Sequence, residues 1–475
     1  MKKFLIYASA LFVLISLQSC QDWLDINVSP NAPSQISDYD LVLADMTATT
    51  AYNLVGGGNF TRFSAQWIQH IADASAPPSN DTYRFTTADF NNEWAFTSYA
   101  GILVNAKIVI DEASQSERWN HVAIAKILMA HNYAVLTDYF GEIPFSQALK
   151  RVDNLTPAYD SQEQVFTGIQ QLLDDAIIDI DKNAAVQVGT GDFFFKGDMN
   201  KWRRTAYALK ARYHLRLTNA PGKAATTQAQ LALDAIEKAM TGAADEAQFA
   251  YIGAPGTEGP WNQWIAKFSR NIRISDYMVN LLTDLADPRL PVLANTNNGG
   301  IYKGYTNGAI NNDPLATFSA IGAYYMAPKT SVPLMTYEEQ LFLKAEAHLR
   351  LGDADAAAQA YSSGVRSHMT RLSGQGQTPT VIAAADVDAY LKAHPVNGLE
   401  DIIVQKYISG FLYASMEAYH DYRRTGFPSS LQPAQNADYQ QIPTRIPYTD
   451  TELNNNQPNV PAGITATSKV WWDTN

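Results

Sequence analysis

The chain runs to 475 residues, carries a formal charge of −12 with hydrophobic residues at 46%, and contains one cysteine, Cys20. The negative surplus, with no basic stripe to offset it, excludes a phosphate-backbone binder, so no nucleic-acid partner is expected. The lone cysteine excludes an intrachain disulfide, which leaves the fold to its core, and a chain of this length can bury one.

At the start, Lys2 and Lys3 precede an apolar run from Phe4 to Leu17 and then Leu17-Gln18-Ser19-Cys20. This order reads as an export signal, and the run is too short for a comfortable membrane span. The Leu-x-Ser-Cys end resembles a bacterial lipobox, which predicts a signal peptide over residues 1–19 and lipidation of Cys20. Several acyl chains there would hold firmly, since each buried methylene contributes about 0.8 kcal/mol. Residues 20–37, with Asp22, Asp25, Pro30, Asn31 and Pro33, suit an extended tether, and no second run of spanning length follows. The body is therefore expected to sit on a membrane through its lipid without crossing it.

From residue 38 onward, apolar residues recur at helical spacing over Asp38–Val55, Asn92–Ser114, Glu117–Phe140, Gln162–Asp181, Lys201–Thr218, Thr227–Met240, Tyr337–Leu351, Asp353–His368 and Leu399–Arg424. Gly141, Pro144, Pro157, Pro221, Gly222, Gly352, Gly426 and Pro428 fall between them, where helix ends are wanted. The run Leu209 to Leu217 is echoed by Leu343 to Leu351, and each closes one helix and leads into another. This is the signature of a tetratricopeptide-like hairpin, with Ala211 and Ala345 as close-packing positions. The expected fold is all-α: three or four such hairpins as a scaffold in one domain spanning 38–475. Two irregular regions, about 56–91 and 243–333, interrupt it, and long loops in a compact body usually act on something.

Enzyme signatures are missing. There is no Gly-x-Ser-x-Gly elbow, Walker loop or His-Glu-x-x-His, so no catalytic residue is assigned and the chain is read as a non-enzyme. No cofactor is called for. Asn295–Asn298 and Asn311–Asp313 lack the spacing of a calcium loop and read as turns, so no metal site is assigned. His131, His214 and His348 read as structural, Glu417 with Asp421, Arg423 and Arg424 as ion pairs closing a helix end, and Trp471 with Trp472 as a plug over the core.

Several stretches taken together resemble the SusD/RagB family, in its SusD-like branch. They are Asp25-Ile26-Asn27 through Pro33, Leu136 through Phe145, Gly197 through Trp202, Ala345-Glu346-Ala347, Glu417-Ala418-Tyr419 through Gly426, and Ile442-Pro443 through Tyr448, in family order. The resemblance implies a helical outer-membrane lipoprotein that faces the cell exterior. It also implies capture of a nutrient, commonly an oligosaccharide or polysaccharide, and delivery to a SusC-like TonB-dependent transporter. Peptide or another non-glycan nutrient stays open as cargo, as does a structural adhesion scaffold.

Sugar binding needs apolar ring faces and planar polar side chains that reach hydroxyls. On local composition the irregular regions offer Trp67, Asp81, Tyr83, Arg84 and Trp94 in the first, and Trp261, Trp264 and Tyr305 in the second, as ligand-binding candidates.

Overall fold

Helix boundaries follow from capping chemistry as much as from apolar spacing. The computed structural model describes residues 38–75, 78, 80–373 and 381–474. The predicted signal peptide, Cys20 and the tether to residue 37 lie outside them. Helix α1 (Tyr39–Thr49) runs on in wider turns to Gly56, and α2 (Asn59–Trp67) follows. Wide turns over Asn92–Leu103 lead straight into α3 (Val104–Gln115), and α4 (Trp119–Phe140) comes next. Ser161 opens α5 (Gln162–Asp181) as a capping box, in which its hydroxyl accepts the Gln164 N–H while the Gln164 amide oxygen accepts the Ser161 N–H. Asp198 caps α6 (Met199–Arg216) through the N–H groups of Asn200 and Lys201. Helix α7 (Ala225–Ile236) closes the pair.

The second half repeats the device. Thr336 caps α9 (Tyr337–Arg350) and Asp353 caps α10 (Ala354–Leu372), after a shorter α8 (Asp276–Asp284). Helices α11 (Ala384–Ala393), α12 (Leu399–Ser409) and α13 (Ser415–Thr425) complete the set used below. Hairpins α4/α5, α6/α7 and α9/α10 stack, with α5 against α6, α7 against α9, and α12 laid on α9. Residues 40–475 make one compact unit. This is the all-α, tetratricopeptide-like architecture expected from the periodicity.

The echoed positions do what their size suggests, because Ala211 and Ala345 are both fully buried at helix contacts. Gly352 turns the α9/α10 hairpin at φ 82°, a left-handed conformation that disfavours a side chain. Gly364 lets α10 approach α9 closely, since a Cβ there would come within 2.7 Å of the Phe342 ring. His131 accepts or donates at Tyr213 Oη, 2.8 Å away, and His214 pairs with Gln228 at 3.1 Å, both as structural partners. Trp472 is buried, with its Nε1–H donating to Asp138 Oδ1 at 2.9 Å.

Two expectations need correction. The single helix expected over Leu399–Arg424 is two, because the chain breaks at Gly410 and passes through a turn in which Leu412 takes φ 64° before α13 begins. The irregular regions are also more ordered than their composition implies. The first contains α2 and strand β1 (Ile71–Asp73), and the second contains α8 and strands β2 (Ala247–Ala250), β3 (Ile272–Ile274) and β4 (Ser331–Met335). Strand β1 pairs antiparallel with β3, matching Ile71 to Ile274, and β2 pairs antiparallel with β4, matching Phe249 to Val332. The first ladder thereby ties the two regions to each other, and the second closes the 243–333 region on itself. The Asn-rich stretches are turns, with Asn297 Oδ1 accepting the N–H groups of Gly299 and Ile301, and Asn311 Oδ1 accepting that of Asp313.

Candidate functional site

Most aromatic residues of the irregular regions face inward, because these segments cross the helical body and their rings are the largest apolar surface they can bury. Trp67 packs on Tyr419 at 5.4 Å between ring centroids and has no exposed surface. Trp94 sits edge-on to Phe140 at 4.7 Å and donates its Nε1–H to Glu452 Oε1. Trp261 is fully buried beside Trp264. Tyr305 meets Phe318 at 4.8 Å and donates its hydroxyl to the Ala309 carbonyl. Tyr83 is buried with its hydroxyl accepting the Ala434 N–H. Asp81 is buried as well. Its Oδ2 accepts N–H groups of Asp73 and Gly308, and burial pushes its carboxyl well above the usual range. In this structure these six side chains offer a ligand no face, which corrects the expectation drawn from composition. Arg84 is about half exposed and is held 2.9 Å from Asp438.

Trp264 is different. It is only partly buried, and the Arg62 guanidinium carbon lies 4.7 Å from its ring centroid. Arg62 stands one turn after Asn59 on α2, and the Asn59 N–H is accepted by Glu93 Oε1 at 3.0 Å. Burial lowers the Arg62 pKa, while the nearby Tyr52 and Glu93 favour its charge. Burial raises the Glu93 carboxyl, opposed by the Asn59 N–H. Arg62 Nε and Glu93 Oε2 have no hydrogen-bond partner among the described residues. Tyr52 donates its hydroxyl to Gln263 Oε1 at 3.0 Å, next to Trp264 in the chain.

Two exposed rings lie on the same two segments. Phe96, 71% exposed, lies one turn past Glu93, and Phe268, 78% exposed, lies one turn past Trp264. A partly exposed tryptophan supported by a guanidinium, with an amide next to it in the chain, has the two components that sugar recognition requires: apolar ring surface and planar polar groups beside it. Exposed apolar surface bordered by polar groups also marks interaction sites in general. Of the residues expected from sequence, Trp264 alone belongs to this face. Arg62, Tyr52 and Gln263 were missed, and of these only Gln263, next to Trp264 in the chain, carried a local signal.

No described helix is long and apolar enough to cross a membrane. Among the described residues no cluster of His, Cys, Asp and Glu suits a metal ion.

Known proteins resemble the chain in sequence and in fold. The family model described as "Starch-binding associating with outer membrane", SusD-like, matches residues 30–449. Among solved structures, a SusD/RagB family protein from Bacteroides thetaiotaomicron is 26% identical, with 92% of this chain and 99% of that one covered at a TM-score of 0.80. A chitin-binding protein is 24% identical over 92% of this chain and 100% of its own, with a TM-score of 0.80. A chitin-binding SusD homologue from Flavobacterium johnsoniae is 23% identical over 92% and 99%, with a TM-score of 0.75. No curated protein sequence matches the chain.

Proposed function

Because the chain belongs to the SusD-like family of starch-binding proteins that associate with the outer membrane, we propose that it is a lipid-anchored receptor at the cell exterior that captures a glycan without cleaving it. In this reading Cys20 carries the lipid. The Trp264 face holds an oligosaccharide or polysaccharide, and the cargo passes to a SusC-like TonB-dependent transporter. The observation that carries the reading is the partly exposed Trp264 ring supported by the Arg62 guanidinium. Pyranose C–H groups pack on the aromatic surface, and the guanidinium and Gln263 supply donors and acceptors for hydroxyls. The chitin-binding proteins of similar fold support a glycan as cargo.

The test is affinity electrophoresis of the full chain in detergent through gels containing soluble starch or glycol chitin. Retardation is expected, and Trp264→Ala should weaken it about tenfold, equivalent to roughly 1.4 kcal/mol of lost stacking and burial. Binding from a peptide library with no glycan retained would overturn the cargo, and release of reducing ends by pure protein would overturn the non-catalytic reading. Mass spectrometry of the native material should find an acylated Cys20, and affinity purification from native membranes should recover a TonB-dependent transporter.

A further inference from the structure

Away from the Trp264 face, a cavity of about 380 Å³ lies where β4, the first turn of α9, the end of α10 and the α12–α13 turn meet. Its walls are aromatic: Tyr324 and Tyr325 stand 4.9 Å apart, edge to face, and Tyr325 meets Phe411 at 5.1 Å and Tyr413 at 5.5 Å. Tyr413 is fixed by a 2.9 Å hydrogen bond with Thr330 Oγ1. Among the described residues no protein group hydrogen-bonds the hydroxyl of Tyr324 or Tyr325, although Tyr325 is only 3% exposed. Burial raises both phenols, so each keeps its proton to offer.

The cavity floor is charged, and each cation on it is already paired with carboxylates. Arg371 binds Glu338 through Nε at 2.7 Å and through Nη2 at 2.8 Å, and also reaches Glu246. Lys406 lies 2.9 Å from Asp421, with Glu339 at 3.9 Å. A ligand carboxylate or ammonium placed here would break a buried pair or stay unpaired, and either outcome is costly. An uncharged ligand meets no such penalty. The cavity is also closed at its inner end. The next void inward, beside His131, Arg212 and Glu339, measures about 20 Å³, room for roughly one water. A polymer cannot thread through. The mouth lies at exposed Ala250 and Lys329. At about 380 Å³ the cavity sits at the small end of ligand pockets, which span roughly 300–1,000 Å³, a size suited to about one sugar unit.

From the closed floor, the paired charges, the tyrosine walls and this volume, we infer that the cavity is a second saccharide site, one that takes a single neutral sugar unit, free or at the end of a short chain. It does not require the Trp264 face to be the capture site.

Isothermal titration of the full chain in detergent tests this with glucose, maltose and N,N′-diacetylchitobiose, and with glucuronate and digalacturonate as charged counterparts. A neutral probe is expected to bind and the uronates to bind at least tenfold more weakly. Tyr325→Phe, which removes only a hydroxyl, should weaken the neutral probe about five- to tenfold. Ala250→Trp, at an exposed mouth position, should abolish its binding, while Trp264→Ala should leave it unchanged. Equal affinity for uronates, or indifference to both cavity variants, would overturn the inference while leaving polysaccharide capture standing. Loss with Trp264→Ala alone would assign the sugar to the outer face instead. Failure of every neutral probe in a protein that still binds starch or chitin would overturn the second site, and failure of the polymers as well would overturn both readings.

Discussion

The inner face of the α9/α10 hairpin and the seam where α6, α9, α12 and α13 meet are both buried, yet they are held by opposite means. The hairpin packs small residues: Ala345 and Ala357 have no exposed surface, and Gly364 lies against Phe342. The seam packs charges. Arg212 binds Glu339 with two hydrogen bonds, Arg216 Nη2 lies 2.5 Å from Glu417, and Arg424 joins Glu346 and Asp421 while Asp421 also holds Lys406. Removing a methyl from the hairpin costs packing alone, but removing one partner from the seam strands a charge out of water. That makes the seam specific in geometry and intolerant of single changes. It also forms the rigid floor of the tyrosine cavity.

Breaking the seam should give the largest effect. Arg424→Ala leaves Glu346 and Asp421 without their shared guanidinium and should destabilise the fold by about 3–5 kcal/mol, read from the midpoint of urea unfolding. A loss under 1 kcal/mol would mean that these pairs contribute little beyond a hydrophobic contact.

Acid should separate the regions next. Burial opposes ionisation of Glu346 and Glu417, but Arg424 and Arg350 for the first, and Arg216 and Arg212 for the second, bring both carboxyls down to about 2 from 4.5. Depressed carboxyls contribute stability that is present above pH 4.5 and lost as pH falls toward 2, roughly 3 kcal/mol each. Asp138 runs the other way: burial raises it to about 6 despite Arg216, so its contribution is present below its unfolded value of 3.8 and fades as pH rises through 6. The melting temperature should therefore drop steeply below pH 4.5, with a weaker decline between pH 4 and 6 set against the general trend. A flat profile from pH 2 to 5 would contradict the seam's role.

In the hairpin, Gly364→Val pushes a side chain into the Phe342 ring and should cost about 1–3 kcal/mol. The double variant with Phe342→Leu should recover part of that loss, and no recovery would locate the strain elsewhere. Lys107→Ala, at an exposed i,i+4 pair with Asp111, sets the lower bound, with an expected change within about 0.5 kcal/mol.

Legibility in the sequence tracks how local each interaction is. Helix α5 is found over the expected Gln162–Asp181, because a Ser161 cap and apolar spacing both lie within the segment. The expected Leu399–Arg424 helix fails at Gly410, where apolar spacing continues across a turn, and that turn is what delivers Phe411 and Tyr413 to the cavity. Aromatic composition marked the irregular regions correctly as unusual but gave no burial. Trp67 and Trp261 look as available in sequence as Trp264, and only packing against Tyr419 on α13, or beneath Trp264 itself, separates them.

What the sequence determined by itself was the helical repeat, the sign of the surface charge, the freedom from disulfides and the family, since each is written in residue type and near-neighbour spacing. Which rings are buried, and which charges are paired, was decided by tertiary structure alone. Arg62 meets Trp264, and Arg371 meets Glu246, across more than a hundred residues of chain. Burial is a property of what lands on top of a side chain, and no local pattern carries that information.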